Sequence, residues 1–209
     1  ISWIQKGESG IKILSPHLSL DSSVEKTVTS HGIRDHYKVS QVIGTLIHRV
    51  LELWAAGKQF HLQKLWQEAC LSSDLSVSSL LEGDEGKKLY EEIEEELQNN
   101  MASSPLKDWV EKALRVRVEQ DISSLQSHKL VRGKIDLLCE FSDRVVIVDY
   151  KTGSVEKSDE LSLKQHAFQK NYHQQLSYYV QACSGIFPEK KIEAYIWYTV
   201  PRKEVKLYS

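Results

Sequence analysis

A run of four β-branched apolar residues, Val145 to Val148, that ends in Asp149, Tyr150 and Lys151 constrains this chain more than any other stretch. Continuous β-branched apolar sequence reads as a strand covered on both faces. Residues two apart in a strand share a face, so Asp149 and Lys151 project together and Tyr150 points the other way. A second acid in apolar company closes the motif "GKID" at Asp136, and "FSDR" lies between the two segments. If Ser142 and Asp143 form a two-residue hairpin loop, Phe141 faces Arg144, Asp136 faces Asp149 and Lys134 faces Lys151. Opposed Cβ atoms in such a pair are about 4.5–5.5 Å apart. A slip of register by two would leave the acids diagonal on one face; a slip by one would separate them.

Two carboxylates about 5 Å apart repel by roughly 3 kcal/mol at an effective dielectric of 20, so folding alone gives little reason to keep them together. A divalent cation reverses the sign. Hard oxygen donors select Mg²⁺ or Mn²⁺, with water and substrate phosphate completing the shell. Lys151 is then placed to orient an attacking water and to balance charge on a phosphorus centre. The bland alternative is an exposed strand end, with Asp149 capping a turn and Lys151 snorkelling. Asp136 in the neighbouring strand favours the metal site over it.

With 209 residues, 41% hydrophobic and 27% charged, the chain suits one soluble domain spanning residues 1–209. No stretch approaches eighteen consecutive apolar residues, and the start lacks the order of a secretory signal, so no membrane partner is expected. Cys70, Cys139 and Cys183 are too few for a four-cysteine cluster and unpatterned for disulfides, which suits a reducing, cytoplasmic setting. The chain begins at Ile1 and reads as a fragment of a longer protein. Residues 1–100 carry 10 basic against 15 acidic side chains, and residues 101–209 carry 17 against 14. The basic second half is compatible with nucleic acid without arguing for it.

Periodicity divides the chain into a mainly helical part, 1–113, and an α/β part, 114–209. Ser40 is placed to cap a helix whose stripe is Ile43, Ile47, Val50, Leu51 and Trp54, with Gly57 as its stop. A second helix is expected over 62–70, a serine-rich loop over 71–86, and a solvated acidic helix around Ile93 and Leu97. Strands are expected at 113–122, 130–141 and 144–150, then a helix over 172–185 ending at Gly185, then strands at 191–200 and 204–209. No P-loop is present, so the chain carries no ATP motor of that type.

The motifs "GTLIH", "GKID", "DYKTG" and "QLSYY" occur in that order from Gly44 to Tyr179. This ordered set resembles the RecB-like branch of the PD-(D/E)XK nuclease superfamily, and looks most like the C-terminal nuclease domain of AddA- or RecB-type helicase-nuclease subunits. The resemblance implies an α/β, restriction-endonuclease-like fold: a mixed central sheet flanked by helices, with a helical N-terminal part. It implies a metal shell of His48, Asp136, Asp149 and the Tyr150 carbonyl, with Lys151 as the catalytic lysine. Gln175 and Tyr179 match a pair lying near the site that positions its groups or the DNA. It also implies a Mg²⁺- or Mn²⁺-dependent exonuclease acting on DNA, with single-stranded ends as the expected substrate, beside upstream helicase domains and a second helicase-nuclease subunit in DNA repair. The cysteines that hold an iron-sulfur cluster in some relatives have no counterpart here, so no cluster is expected. From the residues alone His48 reads as an ordinary helical histidine, although Gly44 one turn earlier leaves room for a close approach.

His128, His166 and His173 take the bland reading, and Glu119 either faces the site through water or is a solvated strand residue. Tyr172, Tyr178, Trp197 and Tyr198 offer base-stacking surfaces, though aromatics at this spacing are usually core. Two other classes compete with the nuclease: a nuclease-like module that binds DNA or a partner without cutting, and a metal-dependent phosphoesterase of unrelated fold. The intact Asp136, Asp149 and Lys151 set argues against the first. A metal-binding histidine in a strand or loop would favour the second, whereas His48 lies in an expected helix.

Overall fold

A computed structural model describes residues 30–73, 81, 83–126, 129–152, 155 and 158–209. Helices α1 (Ser30–Ala55), α2 (Leu62–Ser72), α3 (Asp84–Ala102) and α4 (Leu106–Lys112) come first. Strands β1 (Arg115–Gln126), β2 (Lys129–Glu140) and β3 (Arg144–Lys151) follow, then α5 (Glu160–Gln169), α6 (Tyr172–Ile186), β4 (Lys191–Tyr198) and β5 (Lys203–Tyr208). The five strands form one sheet in sequence order. Neighbours pair antiparallel except β3 and β4, which are parallel and joined by the α5–α6 crossover.

The sheet lies between two helical layers, which is the mixed α/β architecture expected. Val146, Val148 and Tyr150 of β3 pack with α1–α4, against Leu51, Trp66, Leu97 and Trp109. Val145 and Ile147 pack on the other side, against Leu163 of α5 and Leu176, Tyr179 and Cys183 of α6. Burial on both faces is why β3 reads as unbroken apolar sequence. Trp197 of β4 donates its indole N–H to Asn100 Oδ1 at 2.7 Å, and Asn100 Nδ2 donates to the Thr199 carbonyl at 3.2 Å. These bonds satisfy a fully buried Asn100 and fix α3 to the end of β4.

Two helix ends differ from expectation. α1 starts at Ser30, so Ser40 is an interior residue and not its cap. Nothing between them stops a helix, and an interior serine costs only a few tenths of a kcal/mol. Its far end is as expected: Gly57 has φ +65°, and Lys58 N–H to Leu53 and Gly57 N–H to Trp54, both 2.9 Å, close it as a left-handed glycine cap. Gly185 does not end α6, which runs on to Ile186. The acidic helix α3 buries Ile93, Leu97 and Asn100 beneath its charged face. α5 is an addition to the elements expected from periodicity; Asp159 caps it by accepting from Ser162 N–H at 3.0 Å. The centre of the serine-rich stretch, 74–80, and also Glu82 and His128 lie outside the described residues.

The β1–β2 ribbon turns over part-way along. Val116 and Val118 pack towards α1–α4, yet Ile122, an even number of residues later, packs towards α5–α6. β2 does the same, with Leu137 and Cys139 on the first side and Ile135 on the second. The pairing count is unbroken, from Val118 with Leu137 to Gln120 with Ile135. The residues left at the reversal are Glu119, whose φ is +48°, and Asp136.

Candidate functional site

Asp149 and Lys151 close β3 on the α5–α6 side. Asp149 is 2% exposed, and its carboxylate forms an ion pair with the Lys151 ammonium. Burial alone would pull the lysine down, but Asp149 more than offsets it and Lys151 titrates above the ordinary lysine value. The ammonium also lies 4.4 Å from the centroid of the Tyr172 ring, at the start of α6.

The hairpin register is the one read from "FSDR". Glu140 pairs with Val145, Cys139 with Val146, Leu138 with Ile147 and Leu137 with Val148. The ladder stops there, short of the expected pairing of Asp136 with Asp149, because β2 turns over at Asp136; instead the Tyr150 N–H donates to Asp136 Oδ2 at 2.7 Å. A strand residue sends its N–H and C=O to the same edge, so the Tyr150 carbonyl also faces the Asp136 side. The Lys151 carbonyl faces β4, where it accepts from Thr199 N–H at 3.0 Å. Burial first, and then the charge of Asp149, push the Asp136 carboxyl up to about 8. Lys134 does not face Lys151, because the strands part before that position; its ammonium lies 3.2 Å from Glu119 Oε2.

α1 brings His48 to the same place. Its Nδ1 is 3.7 Å from Asp136 Oδ2, and its ring meets that of Tyr150 edge-on at 5.7 Å. Desolvation holds the ring below the ordinary histidine value, against the opposing pull of Asp149 and a hydrogen bond with the Tyr150 backbone. Gly44 gives the expected close approach: a Cβ there would lie 3.1 Å from Thr152 Oγ1, just past the end of β3. The helix is thereby packed against the DYKT segment, with His48 one turn further along.

Gln175 and Tyr179 of α6 act on β2. Gln175 Nε2 donates to the Tyr179 hydroxyl at 3.0 Å, which donates to the Lys134 carbonyl at 2.7 Å. A Cβ on Gly133 would lie 2.7 Å from Tyr179 Cε1, so the glycine of "GKID" lets the tyrosine reach that carbonyl. This chain of bonds anchors the strand two residues before Asp136.

A cleft of about 1410 Å³ opens beside these groups; His48, Glu119, Asp136, Thr152 and Tyr172 are among its walls. His48, Glu119 and Asp136 each present one donor atom, all within 4.8 Å of one another. One imidazole nitrogen and two carboxylates on a cleft wall are a donor set that suits a divalent cation. The sequence points to two of these three; for Glu119 it leaves open a residue facing the site through water and a solvated strand residue, with no preference for the first. Asp149 lies outside this triple, engaged with Lys151. Of the four aromatics, Tyr178, Trp197 and Tyr198 take the core reading, and Tyr172 alone of the four lines the cleft. His166 Nδ1 lies 3.0 Å from the Tyr198 hydroxyl and is not part of the donor triple.

Comparison with known proteins points the same way. The family model described as the PD-(D/E)XK nuclease superfamily matches residues 27–207. The RecBCD enzyme subunit RecB of Chlamydia muridarum is 31% identical over 123 residues, covering 57% of this chain and 11% of that protein. An ATP-dependent helicase/nuclease subunit of Streptococcus equi subsp. zooepidemicus is 35% identical over 71 residues, 34% of this chain and 5% of the relative. The same-named subunit of Listeria innocua is 27% identical over 77 residues, 36% of this chain and 6% of the relative. The chain therefore matches only a small part of these relatives' length.

Proposed function

The chain belongs to the PD-(D/E)XK nuclease superfamily, and from that premise we propose that it hydrolyses DNA phosphodiesters with a divalent cation, Mg²⁺ or Mn²⁺. The observation that carries this is the convergence of His48, Asp136 and the Asp149–Lys151 pair at the end of β3, beside a cleft. His48, Asp136, Asp149 and the Tyr150 carbonyl would hold the ion. A bound cation supplies Lewis-acid polarisation of a phosphoryl group and acidifies water.

The protein's own groups do the rest. Lys151, kept protonated by Asp149, orients the attacking water and stabilises negative charge developing on the phosphoryl oxygens. Asp149 fixes that ammonium in place and shares in cation binding. The Gln175–Tyr179 bond to the Lys134 carbonyl holds the Asp136 strand against recoil, and Gly44 lets α1 carry His48 close enough to join. We assign the substrate as DNA ends, preferentially single-stranded, trimmed exonucleolytically after unwinding by helicase domains in the same longer protein or in a second subunit during repair. The name of a relative, ATP-dependent helicase/nuclease subunit, supports the pairing of nuclease with helicase.

The test is degradation of labelled single- and double-stranded DNA, with and without Mg²⁺ or Mn²⁺, by the native chain and by Lys151→Ala. Cation-dependent cutting that Lys151→Ala loses is the expected result. Equal degradation by both proteins overturns the mechanism.

A further inference from the structure

A single exposed apolar side chain is ordinary, and Phe168 stands out by its surroundings. Of the large apolar side chains exposed among the described residues it is the one aromatic, with 55% of its surface open. It lies in the last turn of α5, and its ring rests against that of His173 with centroids 4.6 Å apart and planes tilted by 33°. His173 is itself held, since its carbonyl accepts from the Tyr208 hydroxyl of β5 at 2.9 Å. Only Lys170 and Asn171 separate α5 from α6, and Asn171, at φ +59°, supplies a left-handed turn that asparagine tolerates. Asn171 N–H donates to the Phe168 carbonyl at 3.0 Å and Gln174 N–H to the Asn171 carbonyl at 3.1 Å, which closes the corner. An exposed aromatic ring is thus presented on a stiff corner and backed by a second ring.

That corner adjoins the cleft. Tyr172 lines the cleft beside the Lys151 ammonium, and the Cα of His173 follows it by about 3.8 Å. His166 meets the Tyr172 ring at 6.0 Å. Burial first, and then the charge of Lys170, hold His166 below the ordinary histidine value, so the Lys170 ammonium lies near the same rings. Lys170 is exposed and has no ion-pair partner among the described residues. The cleft walls carry Glu52, Glu68, Glu119 and Asp136 against Arg49 and His48, a balance that repels phosphates. Affinity for a DNA strand therefore has to come from the rim, and base stacking is a contact that like charge does not cancel.

Resting on the reading of the site as a DNA nuclease, we propose that Phe168, backed by His173, is a stacking platform for an unpaired base of the strand that passes Tyr172 into the cleft, with Lys170 meeting a neighbouring phosphate. Bases inside a duplex have both faces covered by their neighbours, whereas a base of a single strand has a face to offer, so the platform selects single strands.

Steady-state hydrolysis with Mn²⁺ by the 209-residue chain tests this, on a labelled single strand and on one of the same length carrying a run of abasic sites. Phe168→Ala, a change at an exposed position, should raise KM on the intact strand by about tenfold, the usual effect of one stacked base, with kcat within about twofold. Phe168→Trp should keep the native KM. On the abasic strand the native chain and Phe168→Ala should agree, because there is no base to stack. Lys170→Ala should raise KM by about twofold on both strands, and by less at high salt. A KM unchanged in Phe168→Ala, raised equally on both strands, or raised as much in Phe168→Trp overturns the platform and leaves this face to a protein partner or to none. A KM unchanged in Lys170→Ala overturns the phosphate contact. The nuclease reading survives those outcomes, since Lys151→Ala reports on it separately. It falls, and the platform with it, if the native chain shows no Mn²⁺-dependent hydrolysis or cuts no faster than Lys151→Ala.

Discussion

The two ends of the central strands surround their acids differently. At the end where β3 begins, Glu140 has Lys190 at 3.0 Å, Arg117 at 3.5 Å and Arg115 at 4.0 Å. Glu193 beside it has Lys206 at 2.6 Å, Lys191 at 3.1 Å and Arg144 at 3.5 Å. Each acid is wrapped by three cations. A hydrogen bond from Lys190 holds Glu140 below the ordinary glutamate range; Glu193 is pushed up by burial but pulled down further by Lys206 and Lys191. At the end where β3 finishes, the ion-pair partner of Asp136 among the described residues is a histidine at 3.7 Å, with Lys151 paired to Asp149, and burial and Asp149 push its carboxyl up to about 8. Three cations balance each acid at the first end, whereas Asp136 is balanced far less, which is the difference that the proposed cation site rests on.

That contrast is most open to attack through catalysis. Lys151→Ala should lower cation-dependent DNA hydrolysis by about 10²–10³-fold, the usual cost of removing a group that stabilises transition-state charge. Glu140→Gln at the other end should leave the rate within about twofold. Equal losses measured in one assay would erase the distinction between the ends.

Stability should respond with opposite signs. Asp136 titrates higher in the folded chain than unfolded, so its contribution is present in full below about pH 4 and is lost as the pH rises towards about 8. Glu140 titrates lower when folded, so its contribution is present above the ordinary glutamate value and is lost as the pH falls. Without divalent ions, Asp136→Asn is therefore expected to stabilise the protein at pH 8, by about 2 kcal/mol, in denaturant titration. Mn²⁺ should stabilise the native chain and remove that advantage. A less stable Asp136→Asn under ion-free conditions would count against the repulsion.

The fold and its site are legible in the sequence to different depths. The β2–β3 register can be read as far as Leu137 and Val148 because a two-residue loop leaves one pairing, and β3's burial because β-branched sequence has few other uses. Tyr179 and Gly133 show where reading stops. Both lie in recognisable motifs, but that the glycine makes room for the ring is a tertiary contact with no local signal. Glu119 is harder still: alternation in "RVRVEQDI" assigns faces only while the strand stays regular, and the ribbon turns over at that residue. The start of α1 escapes the sequence because a serine mid-helix looks like a cap when nothing upstream contradicts it.

Smaller effects bear on how the site is positioned. Gly133→Ala should cost about 2 kcal/mol by thermal unfolding, since the new Cβ must displace the Tyr179 ring, and should lower activity with it. Tyr179→Phe removes the hydroxyl bond to the Lys134 carbonyl and should cost about 1 kcal/mol, with a modest rise in the Mn²⁺ concentration needed for half-maximal activity. Glu140→Gln should cost no more than about 1 kcal/mol.

The central claim is that the poorly neutralised acids at the end of β3 surround a cation. Anomalous diffraction from crystals soaked in Mn²⁺ locates that ion directly. The expected result is a peak bounded by His48, Asp136 and Asp149, within bonding distance of the Tyr150 carbonyl. A peak at Glu140 and Glu193 with none beside Asp136 would contradict it.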